Sequence, residues 1–352
     1  MSLQVRSALA AGLLGLVACK ATAGEPPAAL VFYPDPPDPP RMQFLRAIAD
    51  ARDLEPERGG LDELLFGERP SAEPFRAPYG SAFHAGKVYV CDLEQGVVLA
   101  VDLAANRIEP LLLEGRARLS KPVNLAFAPD GTLYVADLGR RQVVVLGADL
   151  RWQAEYGPWG EQSRPVDVDL AGDELFVTDS GTGCVRVLAR TDGSERRSIG
   201  QGQLRGPTNA ALDAAGNLYV VDTVDGRVPV FDAAGTLVRH IGTPGSSVGN
   251  LARPKGIACL DDLLFVNDAA FENCQLFDLA GNPLMFFGGP GNGPGCFNLP
   301  AGVSVTREGL TLFRAQLDPE FEPEALVIVT NFYGARLAFY ALGKSRRFTY
   351  PD

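Results

Sequence analysis

The sequence predicts an all-β chain folded as a six-bladed β-propeller, and three observations predict it. Prolines recur at Pro78, Pro122, Pro165, Pro207, Pro254 and Pro300, with spacings of 44, 43, 42, 47 and 46 residues. Short runs of alternating apolar and polar residues follow each proline, the mark of strands with two different faces. Clusters of Gly, Asp and Asn separate these runs and mark tight turns. A period of about 40 to 45 residues carrying four strands is one propeller blade, because a lone four-stranded sheet cannot bury both its faces and stacks against its neighbours.

The copy from Pro207 to Ile241 shows the order of parts. A strand runs from Thr208 to Leu212, Gly216 turns the chain, and a second strand ends at Asp222. A third strand, Val228 to Asp232, leads through Gly235 to a fourth, Leu237 to Ile241. The array runs unbroken from Pro78 to about Leu342, so the chain reads as one domain although its length allows two.

The first residues, MSLQVRSALAAGLLGLVAC, place Arg6 before an apolar run from Ala8 to Ala18 that is too short for a permanent membrane span. Residues 1–18 are read as a signal peptide. Leu16-Val17-Ala18-Cys19 resembles a bacterial lipobox, which implies cleavage before Cys19 and lipidation of its thiol; an ordinary secretory cut near Ala21 to Gly24 is the alternative. Lys20 stands where Asp commonly retains such proteins at the inner membrane, and this implies the outer membrane of a Gram-negative bacterium. Seven prolines between Pro26 and Pro40 predict that residues 19–40 form a lipid-anchored spacer, extended at ~3.1 Å per residue.

Residues 41–48 match the fourth strands of the copies. The sixth copy has a strand from Ala301 to Thr306, one ending at Asn331 and one from Arg336 to Ala341, but no fourth. The N-terminal strand is therefore expected to complete the last blade, closing a propeller of residues 41–348 and removing its open edges. Between it and the first blade, residues 50–76 are polar apart from a short helical stretch, Leu61 to Phe66. In the sixth copy residues 315–324 form an acidic insertion, read as a solvated or functional loop.

Asp92, Asp137, Asp179, Asp222, Asp268 and Asn331 end the second strand of every copy. Repetition in all blades assigns them to architecture, as acceptors for amides of the following turn. The second residue after each proline varies instead: Gly80, Asn124, Asp167, Asn209, Gly256 and Gly302. First strands line a propeller's channel, so Asn124, Asp167 and Asn209 are the candidate channel site, able to hold ordered water or a hard cation such as Ca²⁺.

The two histidines limit the enzymatic options. His84 follows a first strand and His240 lies in an outer one, so they do not combine for zinc or acid-base work. No Gly-x-Ser-x-Gly, phosphate loop or Cys-x-x-Cys-His occurs, and the last of these excludes covalent c-type haem. Apart from Cys19, the cysteines are Cys91, Cys184, Cys259, Cys274 and Cys296, an odd number for an oxidising compartment. Cys274 and Cys296 fall on the same ring face and are the candidate disulfide, while Cys91 and Cys259 read as core. A net charge of −11 and a pI near 4.8 argue against nucleic acid as a partner. Arg140, Arg141, Arg186, Arg190, Arg196 and Arg197 nevertheless make two blades locally basic.

The copies read P-x-[GND]-x-x, then Leu-Tyr-Val-x-Asp, then Val-x-Val-Phe-Asp and a closing Gly. This grammar resembles NHL-repeat six-bladed propellers. LDELLFGE, GGPGNGPGCFNLPAGV and DPEFEPEALVIVTNFYG further resemble a subgroup of bacterial NHL-propeller lipoproteins. That subgroup tends to be encoded beside multihaem c-type cytochromes, which implies a non-enzymatic scaffold supporting their assembly, export or anchoring. A similarity to six-bladed calcium lactonases, which use Asn, Asp and Glu in the channel, implies the alternative: a calcium-dependent hydrolase.

Overall fold

The computed structural model describes residues 30–54 and 75–350. The signal peptide, Cys19 and the stretch from Leu61 to Phe66 lie outside the described residues. Six antiparallel sheets surround a central channel, each a meander ordered from the channel outwards.

The chain begins with β1 (Phe32–Tyr33) and β2 (Met42–Ile48), and blade 1 follows as β3 (Pro78–His84), β4 (Lys87–Asp92), β5 (Val97–Asp102) and β6 (Arg107–Pro110). Blade 2 is β7 (Pro122–Phe127), β8 (Leu133–Asp137), β9 (Gln142–Leu146) and β10 (Trp152–Tyr156). Blade 3 is β11 (Pro165–Ala171), β12 (Glu174–Asp179), β13 (Cys184–Ala189) and β14 (Glu195–Ile199). Blade 4 is β15 (Pro207–Leu212), β16 (Leu218–Asp222), β17 (Val228–Phe231) and β18 (Leu237–Ile241). Blade 5 is β19 (Pro254–Leu260), β20 (Leu263–Asp268), β21 (Asn273–Asp278) and β22 (Pro283–Gly288). Blade 6 contains β23 (Pro300–Thr306), β24 (Phe321–Asn331) and β25 (Arg336–Ser345).

Blade 6 takes its fourth strand from the other end of the chain: β2 pairs with β25, Met42 opposite Leu342 and Ile48 opposite Leu337. This pairing covers the edge that β25 would otherwise expose. β1 then adds a fifth strand, with Tyr33 opposite Met42. The free spacer expected from the prolines is correspondingly shorter. Tyr33 donates to Gly295 O at 2.7 Å and Tyr350 donates to Pro40 O at 2.6 Å, so the described part of the Pro-rich stretch lies along the rim of blade 6. The reason is aromatic: Phe32 packs on the core between blades 6 and 1, and Tyr33 on that between blades 5 and 6.

Six apolar clusters fill the six junctions between neighbouring blades. Strands two and three bury both faces, which is why they read Leu-Tyr-Val and Val-x-Val rather than as strict alternation. Between blades 5 and 6, Phe287, Phe297 and Tyr340 meet edge to face, with ring centroids 4.8 to 5.8 Å apart. The acidic insertion is tied down, although its Glu322 and Glu324 stay exposed. Gln43 of β2 donates to Gln316 O at 2.7 Å and accepts from Asp318 N at 3.1 Å, while Phe313 and Phe321 on either side are buried. Among the described residues no helix is long and apolar enough to cross a membrane.

Candidate site in the central channel

Each repeat proline opens an inner strand whose register slips by one residue just after it. In blade 3 Pro165 faces Asp179 while Asp167 faces Thr178. Proline has no amide hydrogen to lose at this bulge, and the slip re-aims the side chain two residues on. The residue that ends the second strand then locks the bulge. Asp137 accepts from Ser120 N, Lys121 N and Arg140 N at 2.7, 2.9 and 3.0 Å. Asp92, Asp179, Asp222 and Asp268 do the same in their blades. The caps thus clasp the turn that follows and also the linker preceding the proline, a second duty that sequence did not disclose. At Asp179 burial pushes the carboxyl up, but bonds from Arg164 N, Ser163, Thr182 and Arg186 outweigh it and hold the pKa below the ordinary range. Asn331 accepts one bond, from Asn298 N at 2.9 Å, and its buried Nδ2 has no partner among the described residues. Glu272 of blade 5 supplies the missing oxygen, accepting from Leu299 N at 3.0 Å.

The inner strands are not paired with one another, so their polar groups need partners across each junction. Where blades 5, 6 and 1 converge, Gly256 and Gly302 admit a neighbouring backbone that a Cβ would strike. Gly80 likewise makes room for the Asn124 side chain. In the other blades side chains bridge the gap. Asn124 Nδ2 donates to Asp167 Oδ1, and Asp167 Oδ2 accepts from Ala210 N at 2.7 Å. Asn209 lies beside them: with its amide oxygen and nitrogen exchanged, it donates to Thr208 O and Lys255 O and accepts from Asn124 Nδ2 at 3.0 Å. The three predicted channel residues therefore meet, across three consecutive blades.

One further acid joins them. Asp169, two residues beyond Asp167 on β11, accepts from Leu212 N at 3.2 Å and borders a cavity of about 370 Å³ lined by all six inner strands. Every other blade carries Ala or Ser at this place (Ala82, Ala126, Ala211, Ala258 and Ser304), a contrast visible in the sequence. Across the ring Ser81 and Ser304 share a hydrogen bond at 3.0 Å. Burial pushes Asp167 up to about 8, against the bonds from Ala210 and Asn124 and with the help of Asp169. Burial also raises Asp169, to about 6. A resident Ca²⁺ requires six to eight oxygens. Here both Asp167 oxygens already accept protein donors, and Asn124 turns its nitrogen, not its oxygen, to the carboxylate. As arranged, these residues do not fit a hard cation; they fit a brace between blades.

The remaining candidates stand apart. His84 ends β3 and stacks on Phe127 at 4.2 Å, while His240 is exposed on β18 across the ring. Cys274 and Cys296 are both free. Cys274 lies on β21 opposite Phe287, its side chain fully buried in the core between blades 5 and 6, whereas Cys296 sits half-exposed in the linker. Cys91 is core, but Cys259 lines the cavity, half-exposed.

This fold and this channel define a six-bladed β-propeller. No family model matches the chain, and no curated protein sequence matches it. Solved structures do. A streptogramin B lyase structure is 13% identical over 77% of this chain and 95% of that chain, with a TM-score of 0.55. Kuenenia stuttgartiensis hydrazine synthase is 13% identical over 78% of this chain and 97% of that chain, at 0.52. A nidogen/laminin complex is 20% identical over 61% of this chain and 81% of that chain, at 0.51. At such identities the likeness is one of fold, and the fold hosts both enzymes and binding proteins.

Proposed function

We propose that the protein is a non-enzymatic, lipid-anchored scaffold of the cell envelope: an NHL-type propeller, tethered through Cys19, that presents one loop-rich face to a protein partner. The observation that carries this reading is apolar exposure. Linkers between blades and the turns after second strands share one face, and there Val224, Val248 and Tyr333 are 59, 61 and 66% exposed. Apolar side chains held out on the loops of a rigid scaffold are what a partner covers. The signal peptide and lipobox support attachment at the outer membrane. The resemblance to propeller lipoproteins encoded beside multihaem cytochromes points to a c-type cytochrome complex as the partner. Crosslinking in the native envelope followed by purification is expected to recover a stoichiometric partner; repeated failure would remove the scaffold role. Replacing Cys19→Ser is expected to release the protein from the membrane fraction.

Asp169 favours one second reading, a calcium-dependent hydrolase or lactonase, because it adds a carboxylate beside the cavity. That reading requires the Asn124 amide to turn over. Elemental analysis of protein purified without chelators tests it: an equivalent of calcium, lost together with lactone hydrolysis in Asp167→Ala, would establish the enzyme. Metal-free, fully folded protein would exclude it.

A further inference from the structure

The net charge of −11 conceals a basic rim. One or two residues before the repeat proline, five of the six blades carry a cation: Arg76, Lys121, Arg164, Arg205 and Arg253. Each is exposed, and each donates its own backbone amide to the buried cap of its blade, at 2.8, 2.9, 2.7, 2.7 and 3.1 Å in that order. The caps therefore fix the backbone of five basic residues around one mouth of the channel. Asp225 pairs with Arg205 at 3.0 Å, but among the described residues no carboxylate lies within ion-pair distance of Arg76, Lys121, Arg164 or Arg253. Such uncompensated cations on an acidic protein are a standing attraction for an anionic surface.

Between blades 5, 6 and 1 the rim deepens into a pocket of about 170 Å³ lined by Arg253, Lys255, Tyr79, Leu299, Ala301 and Phe332. The Lys255 side chain makes no hydrogen bond or ion pair among the described residues. Burial, reinforced by the Arg253 guanidinium, pushes its pKa down, which is the strain an incoming carboxylate relieves. Two cations over an apolar floor match a carboxylate on a short apolar stem. The exposed Val224, Val248 and Tyr333 lie on the same face.

We infer that this mouth is the docking surface for an acidic, partly apolar segment of a partner protein, which seats a carboxylate between Arg253 and Lys255. The inference rests on the scaffold reading and names the partner's chemistry. Phosphate polyanions fit less well, because the rest of the chain repels them and apolar groups interrupt the rim.

Fluorescence anisotropy on the full chain tests it with a labelled peptide of Glu interspersed with Leu and Phe. Its Lys counterpart, a single-stranded oligonucleotide and anionic vesicles are the competing probes. The Glu peptide is expected to bind preferentially and to weaken about tenfold on raising the ionic strength. Reversing Arg164, Lys121 and Arg253 to Glu is expected to lower affinity at least about tenfold, with Arg253→Gln plus Lys255→Gln as the milder version. Reversing Arg107 and Arg151 on the opposite face should leave it unchanged. No binding of the Glu peptide, an equal loss in the control, or tighter binding of oligonucleotide or vesicles would overturn the inference. So would binding seen only after deletion of residues 55–74, an acidic stretch of this chain that would then be the occupant. Peptide binding without an envelope partner would remove the scaffold role and keep the surface. An envelope partner held equally by the mouth-reversed variant would do the opposite.

Discussion

Replacing Asp167 by Asn isolates the charge of the channel brace. Asp167 is 3% exposed and its pKa is pushed up to about 8, whereas the unfolded carboxyl titrates near ~3.9. Between those values the folded chain binds a proton that the unfolded chain has released. Stability is therefore highest below about pH 4 and falls as pH rises to about 8. At ~1.4 kcal/mol per pH unit the full loss approaches ~5 kcal/mol, and water entering from the adjoining cavity reduces it to roughly 2–4 kcal/mol. The Asn variant does not titrate, but its Nδ2 meets either Ala210 N or Asn124 Nδ2 donor to donor, a loss of ~1 kcal/mol. Urea midpoints measured from about pH 4 to pH 9 should thus show wild type ahead by ~1 kcal/mol at the acid end, curves crossing near pH 5, and the variant ahead by roughly 1–3 kcal/mol at pH 8. Asp169 borders the site in both proteins and titrates in both curves. A difference independent of pH would refute the reasoning, for it would mean that Asp167 is an anion throughout.

Three further outcomes follow from the same contacts. Asp137→Ala strands three amides held at 2.7 to 3.0 Å and should cost roughly 3–5 kcal/mol by urea unfolding, with Asp137→Asn costing about half as much. Glu272→Ala should cost roughly 1–2 kcal/mol by freeing Leu299 N, while Glu272→Gln, which keeps the acceptor, should lie within about 0.5 kcal/mol of wild type. Deleting residues 30–48 exposes the β25 edge and the cores beside it, so size-exclusion chromatography should show aggregate in place of monomer; a stable monomer would show that β2 is dispensable.

The ring was legible because its grammar is local: a proline without an amide hydrogen, a glycine in the left-handed region as at Gly216, an acid at five second-strand ends and Asn331 at the sixth. Closure by β2 was legible because the sixth copy visibly lacks a strand. What escaped depends on register and direction. Asp169 is unlike its five counterparts and, two residues on, shares a strand face with Asp167, but that this face borders the cavity only the structure reveals. The basic residues before the prolines are plain in the sequence, but nothing there says that the caps hold them around one mouth. Cys274 and Cys296 were placed on one ring face correctly in outline, and the pleat of β21 then turned the buried thiol into the core.

The turn chemistry also explains why the two faces differ in sign. Hairpin turns between first and second strands, and between third and fourth, use aspartate to accept an amide one or two residues on. Asp130, Asp192 and Asp213 accept from Thr132, Ser194 and Ala215, each at 2.9 Å, in exposed turns. Those acids are structural and remain charged, so that face is acidic whatever it meets. On the other face the capping acids are buried behind the linkers, their charge shared among several amides, and the exposed Arg76, Lys121, Arg164, Arg205 and Arg253 outnumber the exposed Glu94, Glu114 and Glu161. A propeller whose acids point outward on one face while its capping acids are enclosed on the other, beneath a majority of cations, is electrically polar along its axis. An acidic partner is consequently repelled from one mouth and drawn to the other before any contact forms, so the same residues that tie each blade to its linker also set the orientation in which a partner arrives.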